Sequence, residues 1–72
     1  MSALSPMIVR RDGENFEAQR GEHVIRDRMD RLGVWTSLYR ELRERRKGEF
    51  AWAYEQPVEA LEAFARAEGA TG

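Results

Sequence analysis

Cysteine is absent from the 72 residues, which excludes disulfide staples and any metal site built on thiolate. Histidine, lysine and asparagine each occur once and proline twice, so imidazole-based chemistry has a single candidate in His23. The longest uninterrupted apolar run, Phe50 to Tyr54, is five residues, against the roughly 20 needed to span a bilayer. Met1 to Val9 carries no basic leader followed by an apolar stretch. A soluble, cytoplasmic chain without membrane contact is therefore expected. At this length it forms one small domain, residues 1–72, with loose tails at 1–5 and 70–72. A core this small needs support from ion-paired helices, dense aromatic packing or self-association.

The net charge of −1 conceals an asymmetry. Residues 1–48 carry eleven of the twelve basic side chains against eight acids, whereas residues 49–72 carry five acids against Arg66 alone. The two parts attract each other and can dock within one chain or between two.

Met7 to Arg11 is rich in strand-forming residues, Asp12-Gly13 supplies a tight turn, and Phe16 to Arg20 returns, which predicts an N-terminal β-hairpin. A two-residue loop at Asp12-Gly13 pairs Val9 with Phe16. A four-residue loop, Asp12 to Asn15, shifts the pairing by two and keeps the same parity. Either way Met7, Val9, Phe16 and Ala18 share the buried face, and Ile8, Arg10 and Glu17 share the other.

Gly21 ends the hairpin, and from Glu22 the apolar residues Ile25, Met29 and Leu32 recur with helical spacing. Trp35, Leu38, Tyr39 and Leu42 form a second stripe about a quarter-turn away, so a break is expected at Gly33 between two helices. If Gly33 is left-handed there, Gly33→Ala should cost about 1 kcal/mol. Thr36 or Ser37 caps the second helix and Gly48 closes it. In Glu49 to Glu55 aromatics alternate with alanine, which favours a short strand; a helix with Phe50, Ala53 and Tyr54 on one stripe is the other reading. Pro57 then opens a last helix with Val58, Leu61, Phe64 and Ala65 inward and Gly69 at its end. The expected fold is α+β in the order ββααβα.

Leu32-Gly33-Val34 leading into the helix of Leu38 to Lys47 resembles the turn and second helix of a DNA-binding helix-turn-helix, with one residue fewer between Gly33 and Leu38 than the common form has. The resemblance implies a nucleic-acid surface made of Tyr39, Arg40, Arg43, Arg45, Arg46 and Lys47 on helix 36–47, widened by Arg10, Arg11 and Arg20. Glu41 and Glu44 interrupt that cluster and give it an equally direct explanation as an ion-paired helix surface.

Chemistry is thinly represented. His23, Asp27 and Asp30 could share a helix face, yet one histidine without cysteine makes a poor structural metal site. The serines and threonines have one possible histidine base, and no Gly-x-Ser-x-Gly or phosphate loop occurs. No enzyme activity, cofactor or metal is expected. Seven aromatics exceed what one thin core needs, and Trp and Tyr anchor protein interfaces. Trp35, Phe50, Trp52 and Tyr54 are the candidate protein-binding residues of a regulatory or adaptor module that binds a protein partner and self-associates. A DNA-binding regulator is the alternative.

Overall fold

The computed structural model describes residues 5–48 and 50–69; Glu49 and most of the expected tails, 1–4 and 70–72, lie outside them. Three antiparallel strands, β1 (Ile8–Asp12), β2 (Asn15–Arg20) and β3 (His23–Arg28), form one sheet in the order β1-β2-β3. A 3₁₀ turn at Met29–Arg31 leads into α1 (Leu32–Arg45), and α2 (Trp52–Ala67) follows. The chain is an α+β domain, and its order is βββαα, with a third strand in place of the first expected helix and, among the described residues, no strand between α1 and α2.

Two Gly-Glu pairs build the meander. Asp12 faces Asn15 and Arg20 faces His23, leaving Gly13-Glu14 and Gly21-Glu22 as two-residue loops. In each, glycine comes first with positive φ, 65° and 62°, and no other residue type has positive φ among the described residues. That is the type II′ arrangement, whose twist matches the flanking strands. The first hairpin follows the pairing of the longer-loop alternative, with Val9 opposite Ala18 and Arg11 opposite Phe16. The conserved parity leaves Met7, Phe16 and Ala18 buried and Val9 packed against them, while Ile8 is 64 % exposed.

The helix expected from Glu22 is β3 instead. Ile25 is its one apolar inward residue, and the charged residues around it obscure the strand alternation. Asp27 faces inward to accept the Trp35 indole N–H at 2.8 Å, and Arg26 faces outward to pair with Glu17 at 2.9 Å. Only Leu32 of the supposed stripe belongs to a helix longer than one turn.

No break occurs at Gly33. It is the second residue of α1 and lacks positive φ, so the two apolar stripes never needed to align: the first is spread over β3, the 3₁₀ turn and the start of α1. With a strand and a 3₁₀ turn before α1, the helix-turn-helix arrangement is absent. Thr36 is inside the helix, its hydroxyl donating to the Leu32 carbonyl at 2.9 Å rather than capping. Gly48 and Gly69, both left-handed, follow the two helix ends as expected.

The aromatic segment makes a turn at Phe50-Ala51 and is helical from Trp52 onward. Tyr54 begins an i, i+4, i+7 series with Val58 and Leu61 that continues to Ala65, and alanine favours the same state. Pro57 is therefore the sixth residue of α2 rather than its first. Proline there has no N–H for the Ala53 carbonyl four residues back. Arg20 supplies the missing donor, its Nη1 reaching the Ala53 oxygen at 2.6 Å while its Nε donates to the Ser5 carbonyl at 2.9 Å. The Met7 N–H, at the start of the edge strand, donates to Gln56 Oε1 at 2.8 Å. These contacts fasten α2 to the sheet where the intrahelical ladder is interrupted.

Both helices cover the sheet's inner face. Phe16, Val58 and Leu61 have essentially no exposed surface, each contributing on the order of 1.5–3 kcal/mol by burial. Met29, Trp35, Tyr39, Phe64 and Ala65 pack around that centre.

Two outcomes follow. Gly33→Ala should raise stability, by about 0.5–1 kcal/mol, because a β-carbon at Gly33 meets nothing within 4 Å and the site is helical; a lower melting temperature would contradict a continuous α1. Arg20→Met should cost about 1–3 kcal/mol, chiefly by leaving the part-buried Ala53 carbonyl without a donor. In a Pro57→Ala background, where residue 57 regains its N–H, that cost should shrink, and an unchanged cost in thermal denaturation of the double-mutant cycle would rule out the proline as its cause.

Candidate interaction surface

The cationic helix end resolves into engaged and uncommitted groups. Arg40 Nε donates to Glu62 on α2 at 2.8 Å, and Arg45 pairs with Glu41 one turn back at 3.2 Å. Arg43, Arg46 and Lys47 make no ion pair among the described residues; they stand at the C-terminal end of α1, where cations complement the helix dipole. Tyr39 is half-buried against Tyr54, ring centroids 6.1 Å apart at 65°. The solvent face of α1 is made of Val34, Leu38, Glu41 and Arg45, spaced i, i+4, i+7 and i+11. The candidate nucleic-acid residues thus divide between the core, internal ion pairs and the helix end, and do not form one cationic face.

The four candidate protein-binding aromatics divide as well. Trp35 and Tyr54 are partly buried, Trp35 in the core and bonded to Asp27. Phe50 is 43 % exposed and Trp52 61 % exposed at the turn between the helices. Trp52 shares the outer face of α2 with Glu55 and Glu59, at i, i+3 and i+7. Sequence reading missed three further exposed apolar residues: Val24, Val34 and Leu38. Val24 was hidden by the helical reading of β3, Leu38 by its place in the apolar stripe with Trp35, Tyr39 and Leu42, and Val34 by the turn expected at Gly33. Ile8, whose outward position strand parity did give, stands in one row of the open sheet face with Gln19 and Val24.

The next row of that face is Arg10, Glu17 and Arg26, one from each strand. Glu17 is buried between two more exposed cations, with Arg10 Nε at 2.7 Å and Arg26 Nη2 at 2.9 Å. Hydrogen bonds from Arg10 and then Arg26 hold its carboxyl below the ordinary 4.5. Asp27 is likewise held below 3.8, first by the Trp35 indole, then by the Arg28 N–H, with Arg31 adding to both.

His23, Asp27 and Asp30 do not converge. On a strand, His23 and Asp27 lie about 13 Å apart, and Asp30 is paired with Arg28. No group of three potential metal ligands occurs among the described residues. A groove of about 730 Å³ runs between the start of α1 and the end of α2, with Leu32, Gly33, Thr36 and Ala65 in its lining and Arg40 and Glu62 among its polar groups. A smaller cleft opens at the other end of the helices. No described helix is long and apolar enough to cross a membrane. Compared with known proteins, the chain matches no family model, no curated protein and no solved structure.

Both carboxylates have depressed folded values, so their contributions are complete above the unfolded values and disappear as pH falls through the folded ones. Melting temperature should therefore decline below about pH 4.5. Glu17→Gln should melt lower than the parent near pH 7 and lose less on acidification. Parallel pH profiles for parent and variant would show that the three-strand ion cluster contributes nothing.

Proposed function

We propose that this chain is a small non-enzymatic regulatory or adaptor module that acts by binding protein and is itself self-associated. The observation that carries this reading is Trp52, a large aromatic 61 % exposed on a helix face whose other outward groups are Glu55 and Glu59. Just across the turn lie Arg46 and Lys47, without ion-pair partners among the described residues. A second copy crossing antiparallel over Trp52 would set Glu59 of each α2 near the other's Arg46-Lys47 turn. The contact is then self-complementary, as a two-fold interface requires. Tryptophan supplies the apolar anchor and the charges supply register. The basic N-terminal part and acidic C-terminal part of the sequence fit the same arrangement.

A nucleic-acid role for α1 rests on Arg43, Arg46 and Lys47 alone, because Arg40 and Arg45 are held by Glu62 and Glu41 and Glu41 and Glu44 share the exposed surface. Protein binding uses the aromatic and both signs of charge, and is the better-supported reading.

Sedimentation at micromolar concentration should give a dimer or larger species. Trp52→Ala should weaken it by about 2 kcal/mol or more, as interface-centre aromatics do. Glu55→Lys with Glu59→Lys should weaken it too, and adding Arg46→Glu with Lys47→Glu should restore it. A monomer at all concentrations, or duplex DNA bound far more tightly than the ~10⁻⁴ to 10⁻⁶ M of non-specific contact, would overturn the proposal.

A further inference from the structure

At one end of the inner sheet face, two cross-strand pairs stand side by side: Ala18 opposite Ile25 and Arg20 opposite His23. Tyr39 of α1 and Tyr54 of α2 close over them in edge contact. These six side chains, from the sheet and both helices, contribute to the lining of a cleft of about 280 Å³.

Its chemistry is one-sided. The polar side chains in the lining are a guanidinium, an imidazole and two phenols, with no carboxylate among them. Arg20 is fixed in place: Nε and Nη1 are bound to the Ser5 and Ala53 carbonyls, which leaves Nη2 as a donor held at a defined angle. Neither phenol hydroxyl has a hydrogen-bond partner among the described residues, yet neither is sealed from solvent. Both are therefore donors open to a ligand. Burial, then the neighbouring Tyr54, raises the Tyr39 phenol above its ordinary 10.0 against the pull of Arg20, so Tyr39 stays protonated at neutral pH. Beside these donors the partly exposed Ile25 offers an apolar surface, over the buried Ala18.

We propose that this cleft binds a small organic monocarboxylate, its oxygens held by Arg20 Nη2 and the hydroxyls of Tyr39 and Tyr54 and its apolar body lying against Ile25. A fixed cation with convergent neutral donors and no competing acid is the arrangement that recognises a carboxylate. This site is independent of the Trp52 face, and its occupancy does not require self-association.

The test is titration of the intact protein with benzoate, followed by amide chemical shifts and by calorimetry. Benzyl alcohol serves as the neutral probe of similar shape and sulfate as the anion without an apolar body. Benzoate should saturate, with the largest shifts at residues 18–25, 39 and 54, and should bind at least about tenfold more tightly than either comparator. Tyr39→Phe combined with Tyr54→Phe keeps both rings and the edge contact, so the fold is retained as judged by circular dichroism, while benzoate affinity should fall about tenfold or more. No saturable shift with benzoate, equal binding of benzyl alcohol, equal displacement by sulfate, or unchanged affinity in the double variant would each overturn the assignment.

Discussion

Phe16, the second residue of the central strand, has no exposed surface, and the fold is arranged around covering it. A three-stranded sheet of five- and six-residue strands has one face that must leave water, and a chain without cysteine has only its helices to cover that face. α2 does so with Leu61, Phe64 and Ala65, and α1 closes the remaining side with Leu32, Trp35 and Tyr39. Side-chain parity along β2 then decides the rest of the sheet: Ala18 and Arg20 face inward with Phe16, and Glu17 and Gln19 face outward.

The position of α2 over Phe16 also explains an unusual feature of its sequence. Pro57 is fully buried in the helix that must press on the sheet, where it removes an intrahelical donor. Arg20, two residues from Ala18 on the inward side of the same strand, donates to the carbonyl that Pro57 leaves open. The same guanidinium lines the cleft beneath Tyr39 and Tyr54. One side chain thus links strand, helix and candidate ligand site. At the opposite end, Arg11 from β1 reaches Glu68 past the end of α2 at 3.0 Å, so an arginine of the sheet fastens α2 at each end.

With the inner face closed, the outer surfaces differ in character. The open sheet face is cationic and apolar around one buried acid, Glu17. The outer face of α2 is acidic beside Trp52, and the turn before it is basic. The internal ion pairs of Arg40 with Glu62 and Arg45 with Glu41 leave α1 without a continuous cationic face.

By itself the sequence determined the first hairpin face, the inner stripe of the last helix and the glycines beyond both helix ends. Each depends on a local pattern, strand parity, helical period or left-handed glycine, that holds whatever the rest of the chain does. Gly21-Glu22 carried as clear a turn signal as Asp12-Gly13, but the spacing of Ile25, Met29 and Leu32 imitated a helix and concealed β3. Only the tertiary structure settled that segment: its inward Asp27 and outward Arg26 are satisfied by Trp35 and by Glu17, partners eight and nine residues away on other elements. It likewise settled residues 52–55 as the first turn of α2, because a strand there would give up the continuous helical stripe Tyr54, Val58, Leu61 and Ala65. The cleft was invisible for the same reason: Arg20, His23, Tyr39 and Tyr54 are spread over 35 residues of sequence, and long-range packing alone brings their donors together.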